Sequence, residues 1–380
     1  MHSAEQFILE KLKQREMSGS LRKLSALQLP VDFCSNDYLG FARSETLQTN
    51  IQEELNRYNS IGKNGSGGSR LLSGNTRFAE DTEASIAAFH AAEAGLLFNS
   101  GYDANLGLLS SLAQRGDTII TDELIHASLT DGARLGHALR YTFRHNDITD
   151  LETKLQHSKG KIYVVVESVY SMDGDLSPLL PIYELCQHYQ ANLIVDEAHA
   201  TGIFGPYGQG LVQQLNLEQQ VFARIITFGK ALGCHGAIVL GSKALRQYLI
   251  NFARSFIYTT AMPPHAVAAI KCAYDLLQGT DYPAIIQGRI KLFSKSLQQA
   301  DLNIGTAIRE ATPSAIQTIN YAGNQQARSA AGTLQNKGMD VRAILSPTVP
   351  EGKERLRICL HTYNTDQEIV SLTSALSEIK

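Results

Sequence analysis

The sequence predicts an α/β protein built on a mostly parallel, seven-stranded sheet with one reversed strand. Three observations carry this expectation. Seven short runs are rich in β-branched residues, and most are bounded by turn residues, as strands are. The first six start roughly 20 to 30 residues apart, which leaves room for a crossover helix in each interval and suits parallel strands buried on both faces. The last pair differs: Ile226 and Ile238 are 12 residues apart, too close for an intervening helix, so the final strand returns antiparallel.

Along the chain, residues 4–16 come first, with Phe7, Ile8, Leu9 and Leu12 set among charges at helical spacing. This reads as a helical arm suited to lying across a neighbouring surface. The seven strand runs follow at 95–98, 118–121, 139–143, 161–167, 192–196, 224–228 and 236–240. Near residue 270 the pattern changes to a helical stretch, then to shorter β-like pieces at 315–319, 343–345 and 355–360. The expected organisation is an arm over 1–35, a large domain over 36–270 and a smaller α+β C-terminal domain over 271–380.

Composition narrows the function. Of 380 residues, 43% are hydrophobic and 19% charged, which excludes disorder and fibrous repeats. The net charge of −3 is spread without long runs of one sign, so neither nucleic acid nor an acidic membrane surface is expected as a partner. Five cysteines, odd in number and never spaced as CxxC, argue against a disulfide framework or a structural zinc site, and no metal is expected. No apolar stretch approaches the roughly 20 residues that cross a bilayer, and the N-terminus lacks a signal-peptide core, so a cytoplasmic location is expected.

Chemistry is expected at the strand ends, because open α/β sheets bind ligands beyond their carboxyl edges. Three strands end in informative residues: Glu167 ahead of Ser168 and Ser171, Asp196-Glu-Ala-His199, and Thr227-Phe-Gly-Lys230. A lysine leaving a buried strand beside glycine is placed to lose its proton and attack an aldehyde, since desolvation disfavours ammonium. Pyridoxal phosphate is such an aldehyde. It further needs an acid at its ring nitrogen, a ring to stack on and donors for its phosphate. Asp196, 34 residues before Lys230, supplies the acid; His199 suits the ring hydroxyl; His126 suits stacking; and residues 99–105, entering a helix, offer backbone N–H groups as a phosphate cradle.

Other readings fail on the same residues. Asp196-Glu-Ala-His199 spells the acidic box of a helicase-type ATPase, but no GxxxxGK[ST] stands upstream. The glycine-rich stretch 62–69 follows no strand and lacks GxGxxG spacing, and neither GxSxG nor HExxH occurs.

Six motifs stand in order along the chain: Ser35-Asn-Asp-Tyr-Leu-Gly40, Gly65-Ser-Gly-Gly-Ser-Arg-Leu-Leu-Ser-Gly74, Ser171-Met-Asp-Gly-Asp175, Asp196-Glu-Ala-His-Ala-Thr-Gly202, Thr227-Phe-Gly-Lys230 and Phe256-Ile-Tyr-Thr-Thr-Ala-Met-Pro-Pro264. This set resembles the α-oxoamine synthases of the fold-type I pyridoxal-phosphate superfamily over essentially the whole chain. The resemblance implies a homodimer with shared active sites and an acyltransferase that joins an amino acid to an acyl thioester with loss of carbon dioxide. Lys230 is then the Schiff-base lysine and acid/base, Asp196 the partner of the ring nitrogen, His199 the contact to the ring hydroxyl and His126 the stacking ring. Gly101, Tyr102, Ser171 and Thr227 match cofactor-binding positions, with Thr259 and Thr260 reaching the phosphate from the second subunit. Asn36 and Arg357 would hold the amino-acid carboxylate, a bidentate task suited to guanidinium. Arg22 and Thr348 match positions associated with the acyl substrate.

Within that family, His145-Asn-Asp147, Phe252-Ala-Arg254, Pro347-Thr-Val-Pro-Glu-Gly352 and Arg355-Leu-Arg357 are most similar to members that use L-alanine and a pimeloyl thioester, carried by coenzyme A or a carrier protein. Members using glycine or serine with other acyl-CoAs are the second reading. Two departures bear on the acyl site: Leu345 stands where the family often has arginine, and the segment between Arg22 and Ser35 is shorter than in many members.

Overall fold

The computed structural model describes residues 3–24, 26, 28–58, 64–300 and 312–379. Its described residues divide into two units, one drawn from 36–171 and 175–287, the other from 1–35, 172–174 and 288–380. Among them no helix is long and apolar enough to cross a membrane.

The larger unit is built on seven strands: β1 (Ala94–Phe98), β2 (Thr118–Asp122), β3 (Leu139–Phe143), β4 (Ile162–Glu167), β5 (Asn192–Asp196), β6 (Ala223–Thr227) and β7 (Ala237–Gly241). Their spatial order is β1-β7-β6-β5-β4-β2-β3. β7 runs antiparallel to both β1 and β6, and the other neighbours are parallel, as the sequence spacing requires. Apolar runs on the central strands are continuous because both faces are covered: Val164, Val165 and Val166 are all fully buried. Each such side chain contributes about 1.5–3 kcal/mol over its exposed state. On one face the helices Gly101–Leu112 and Ala127–Leu135 bring Ala104, Leu108 and Leu129 into the core formed with Val165, Ile194 and Ile225.

Register brings the chemistry to one edge. Glu167 ends β4 directly opposite Asp196 at the end of β5, and Asp196 faces Ile225 on β6. β6 ends at Thr227, and the chain returns as β7 after a loop that carries Lys230. Three backbone bonds hold that loop: Phe228 N to Gly236 O at 2.9 Å, Cys234 N to Phe228 O at 2.8 Å and Gly233 N to Lys230 O at 2.9 Å. Gly233 has φ +59°, and a Cβ there would run into the backbone of Phe41 and Ala42, so a side chain is excluded twice over.

The smaller unit carries an antiparallel sheet in which β10 (Arg355–Cys359) lies between β8 (Ile316–Asn320) and β9 (Arg342–Ile344). Val31–Asp32 pairs in parallel with Met339–Asp340, a contact two residues long that no periodicity announces. The N-terminal helix Ser3–Met17 buries none of its residues. The boundary expected at residue 270 falls inside the helix Pro264–Gln278, whose Val267 and Ala268 pack on Phe78 and Ala79; the division lies after Gln287 instead. Residues 1–35, expected as a separate arm, group with the C-terminal residues, to which Val31–Asp32 is paired.

A charged cluster lies at the ends of β2 and β3. His145 Nδ1 is 3.0 Å from Asp122 Oδ1, and its Nε2 is 2.7 Å from Asp175 Oδ2. Burial opposes the imidazolium, but the bonds to Asp122 and Asp175 outweigh it and raise the pKa to about 9. Because the folded-state value is raised, the stabilisation is complete below the unfolded value of about 6.5 and is lost as pH rises through about 9. The melting temperature is therefore expected to decline over that interval in the wild type and to decline less in His145→Gln. Parallel declines in the two proteins would refute this.

Candidate active site

At the carboxyl edge of the sheet a cavity of about 260 Å3 is lined by Asn36, Gly101, Tyr102, Asn105, His126, Ser128, Glu167, Asp196, Thr227 and Lys230. A larger cavity of about 340 Å3 sits at the opposite edge, around Asn192, Phe222 and Arg224, and contains none of the expected residues. The first has the chemistry.

Lys230 Nζ lies 2.8 Å from His199 Nε2, and His199 Nδ1 lies 2.7 Å from the hydroxyl of Tyr38. Asp196 accepts from Ala198 N through Oδ1 and from Asn105 Nδ2 through Oδ2, each at 2.9 Å. Asn105 Nδ2 also donates to Ser128 Oγ at 2.9 Å. The Ser128 proton is thereby directed to His126 Nδ1 at 2.7 Å, which accepts the Ser128 N–H as well at 3.2 Å. His126 faces the open cavity, yet partial burial, and after it the Lys230 ammonium, push its pKa down. The ring is thus neutral with its proton on Nε2, a flat apolar face for stacking.

Glu167 is buried and accepts the backbone N–H groups of His126 and Ser171. Burial first, and the facing Asp196 carboxylate second, push its pKa up, so the pair relieves its like-charge conflict by protonating Glu167. Gly101 opens the helix Gly101–Leu112, capped by Ser100 Oγ accepting from Asp103 N at 3.0 Å. A Cβ on Gly101 would come within 2.6 Å of Thr227 Cγ2, so only glycine leaves this helix end open to a ligand.

The remaining expected residues fall elsewhere. Thr259 and Thr260 line a separate cleft with Ser66 and Arg70; Asn99 Nδ2 donates to Thr259 Oγ1 at 3.2 Å and to the Thr260 carbonyl at 2.8 Å. Tyr102, by contrast, lines the first cavity, and its exposed hydroxyl bonds Asp131. In the smaller unit, Arg22 Nη2 donates to Thr348 Oγ1 at 3.4 Å, and Arg357, on β10, is buried with Nη1 2.9 Å from Cys359 Sγ. Tyr38, Asn105 and Ser128 were absent from the expected set. Tyr38 stands inside the Ser35–Gly40 motif and Asn105 inside 99–105, but neither motif says which distant side chain its member will meet.

Pyridoxal phosphate fits these residues. Thr227 Oγ1 and Asn105 Oδ1 are buried at the cavity without a hydrogen-bond partner, which a ligand's polar atoms would supply. The helix end at Gly101 suits a phosphate, Asp196 a ring nitrogen and His126 a ring face.

A seven-stranded α/β sheet with lysine, aspartate and histidine gathered at its carboxyl edge defines a pyridoxal-phosphate enzyme of fold type I. The model of the aminotransferase class I and II family matches residues 30–373; the chain belongs to that family, among its α-oxoamine synthases. It is 41% identical to 8-amino-7-oxononanoate synthase of Emericella nidulans over 97% of this chain and 94% of that protein. It is similar to a high-resolution structure of SPT with its PLP internal aldimine (TM-score 0.89, 26% identity, 99% and 98% of the two chains). It is also similar to 8-amino-7-oxononanoate synthase of Francisella tularensis (TM-score 0.76, 28% identity, 92% and 97%).

Proposed function

We propose that the chain condenses L-alanine with a pimeloyl thioester to give 8-amino-7-oxononanoate, a step of biotin biosynthesis. The observation that carries this is one cavity shared by Lys230, Asp196 and Asn36, in a chain 41% identical to a synthase of that name. In the reaction the alanine α-carbon loses a proton and bonds the acyl carbon, the thiol leaves, and carbon dioxide is lost.

Bound pyridoxal phosphate supplies the electron sink for the charge left on the α-carbon. Lys230 Nζ, freed when the amino acid binds, takes the α-proton and returns it. The Asp196 carboxylate, fixed by Asn105 and Ala198, keeps the ring nitrogen protonated. The neutral His126 ring covers the cofactor face and shields it from water. Asn36, which lines the cavity, receives the amino-acid carboxylate, and Arg22 with Thr348 serve the acyl chain. A second copy of the chain brings Thr259 and Thr260 to the phosphate, supported by Leu72 and Tyr258, 85% and 72% exposed in the chain segments that supply the cleft's Arg70 and Thr259. A cytoplasmic setting is supported by the five free cysteines.

The test is a panel of L-amino acids against acyl thioesters, scored by product mass. L-alanine with the pimeloyl thioester is expected to give the main product. Leu345, in place of a frequent family arginine, favours a different acyl donor as second reading; turnover of another pair with none of this one would establish it.

A further inference from the structure

We infer that Tyr38 is a positioning residue whose single hydroxyl orients both the histidine beside Lys230 and the amide that receives the amino-acid carboxylate. The inference rests on the reading of Asn36 given above.

Tyr38 is fully buried. Its hydroxyl lies 2.7 Å from His199 Nδ1 and 3.2 Å from Asn36 Oδ1, while His199 Nε2 lies 2.8 Å from Lys230 Nζ. The direction of this chain is fixed at its Asn36 end. An amide oxygen only accepts, so Tyr38 donates its one proton to Asn36 Oδ1. The Tyr38 oxygen is then left to accept from His199 Nδ1, which carries the ring proton. Asn36 lines the cavity, and with its oxygen held by Tyr38 the amide offers N–H rather than a lone pair to an incoming carboxylate. The inverted amide would meet a carboxylate oxygen to oxygen, which is repulsive.

Tyr38→Phe keeps the buried ring and removes only the hydroxyl. Binding of L-alanine to the holoenzyme, read from the cofactor's visible absorption with no acyl donor present, is expected to weaken about tenfold, the worth of a hydrogen bond serving a charged group. KM for alanine rises with it, and KM for the acyl thioester does not. Asn36→Ala and the double variant complete the cycle: if Tyr38 acts through Asn36, the double variant binds alanine no more weakly than Asn36→Ala. Asn36→Asp, which accepts from Tyr38 but has no donor to offer, is expected to lose alanine binding outright. An unchanged affinity in Tyr38→Phe, additive losses in the cycle, or wild-type affinity in Asn36→Asp would each overturn the inference. Failure of the parent reading looks different: the absorption then responds to another amino acid and not to L-alanine, and the same cycle run with that amino acid decides the role of Tyr38.

Discussion

Lys230→Ala is expected to lose reducible cofactor attachment altogether and to lower turnover by about ten-thousand-fold, the upper range for a positioned acid/base. The amine occupies the end of a loop leaving β6, 2.8 Å from His199 Nε2, at a cavity shared with Asp196. Removing it takes away the group that joins the aldehyde and the group that moves the α-proton in one change. The shape is preserved, because the loop is closed by backbone bonds at Phe228, Gly233 and Cys234 rather than by the lysine side chain. Borohydride reduction followed by intact mass, with steady-state turnover alongside, makes the measurement. A cofactor adduct surviving in the variant would place the covalent chemistry on another residue.

Asp196→Asn is the second large effect, expected to cut turnover by about a hundred- to a thousand-fold, the scale of losing one preorganised electrostatic partner. Asparagine keeps the acceptor for Ala198 N but turns an amide toward Asn105 Nδ2, which had a carboxylate oxygen at 2.9 Å. Asn105 Oδ1, otherwise without a partner, can take the new N–H if that amide turns over, so the melting temperature should shift by only a few degrees. Glu167 also relaxes: Asp196 is the second cause of its raised pKa, so its carboxyl falls back toward the ordinary range in the variant. Unchanged turnover with intact cofactor binding would remove Asp196 from the ring nitrogen.

The strands that build the site were legible because parallel strands covered on both faces read as unbroken apolar runs, and the residues ending them are those the register aligns. Val164, Val165 and Val166 leading to Glu167, or Leu193, Ile194 and Val195 leading to Asp196, announce both the strand and its functional end. What a linear reading could not supply is pairing across large separations. Tyr38 reaches His199 over 161 residues and Asn105 reaches Asp196 over 91, and nothing local in either motif encodes the meeting. The boundary expected at residue 270 cuts through the helix Pro264–Gln278 for the same reason: its apolar face matches any partner until Phe78 and Ala79 are seen beneath it.

The reversed strand has a bearing on how such a scaffold diversifies. Since β7 turns back at once, the lysine rides on a hairpin tip stitched shut at 2.8–2.9 Å, with no helix whose lengthening or tilting could reposition it. Altered substrate preference must then arise by retooling the walls around a stationary nucleophile, and single-residue insertions between Thr227 and Ala237 are the lesions this architecture tolerates least.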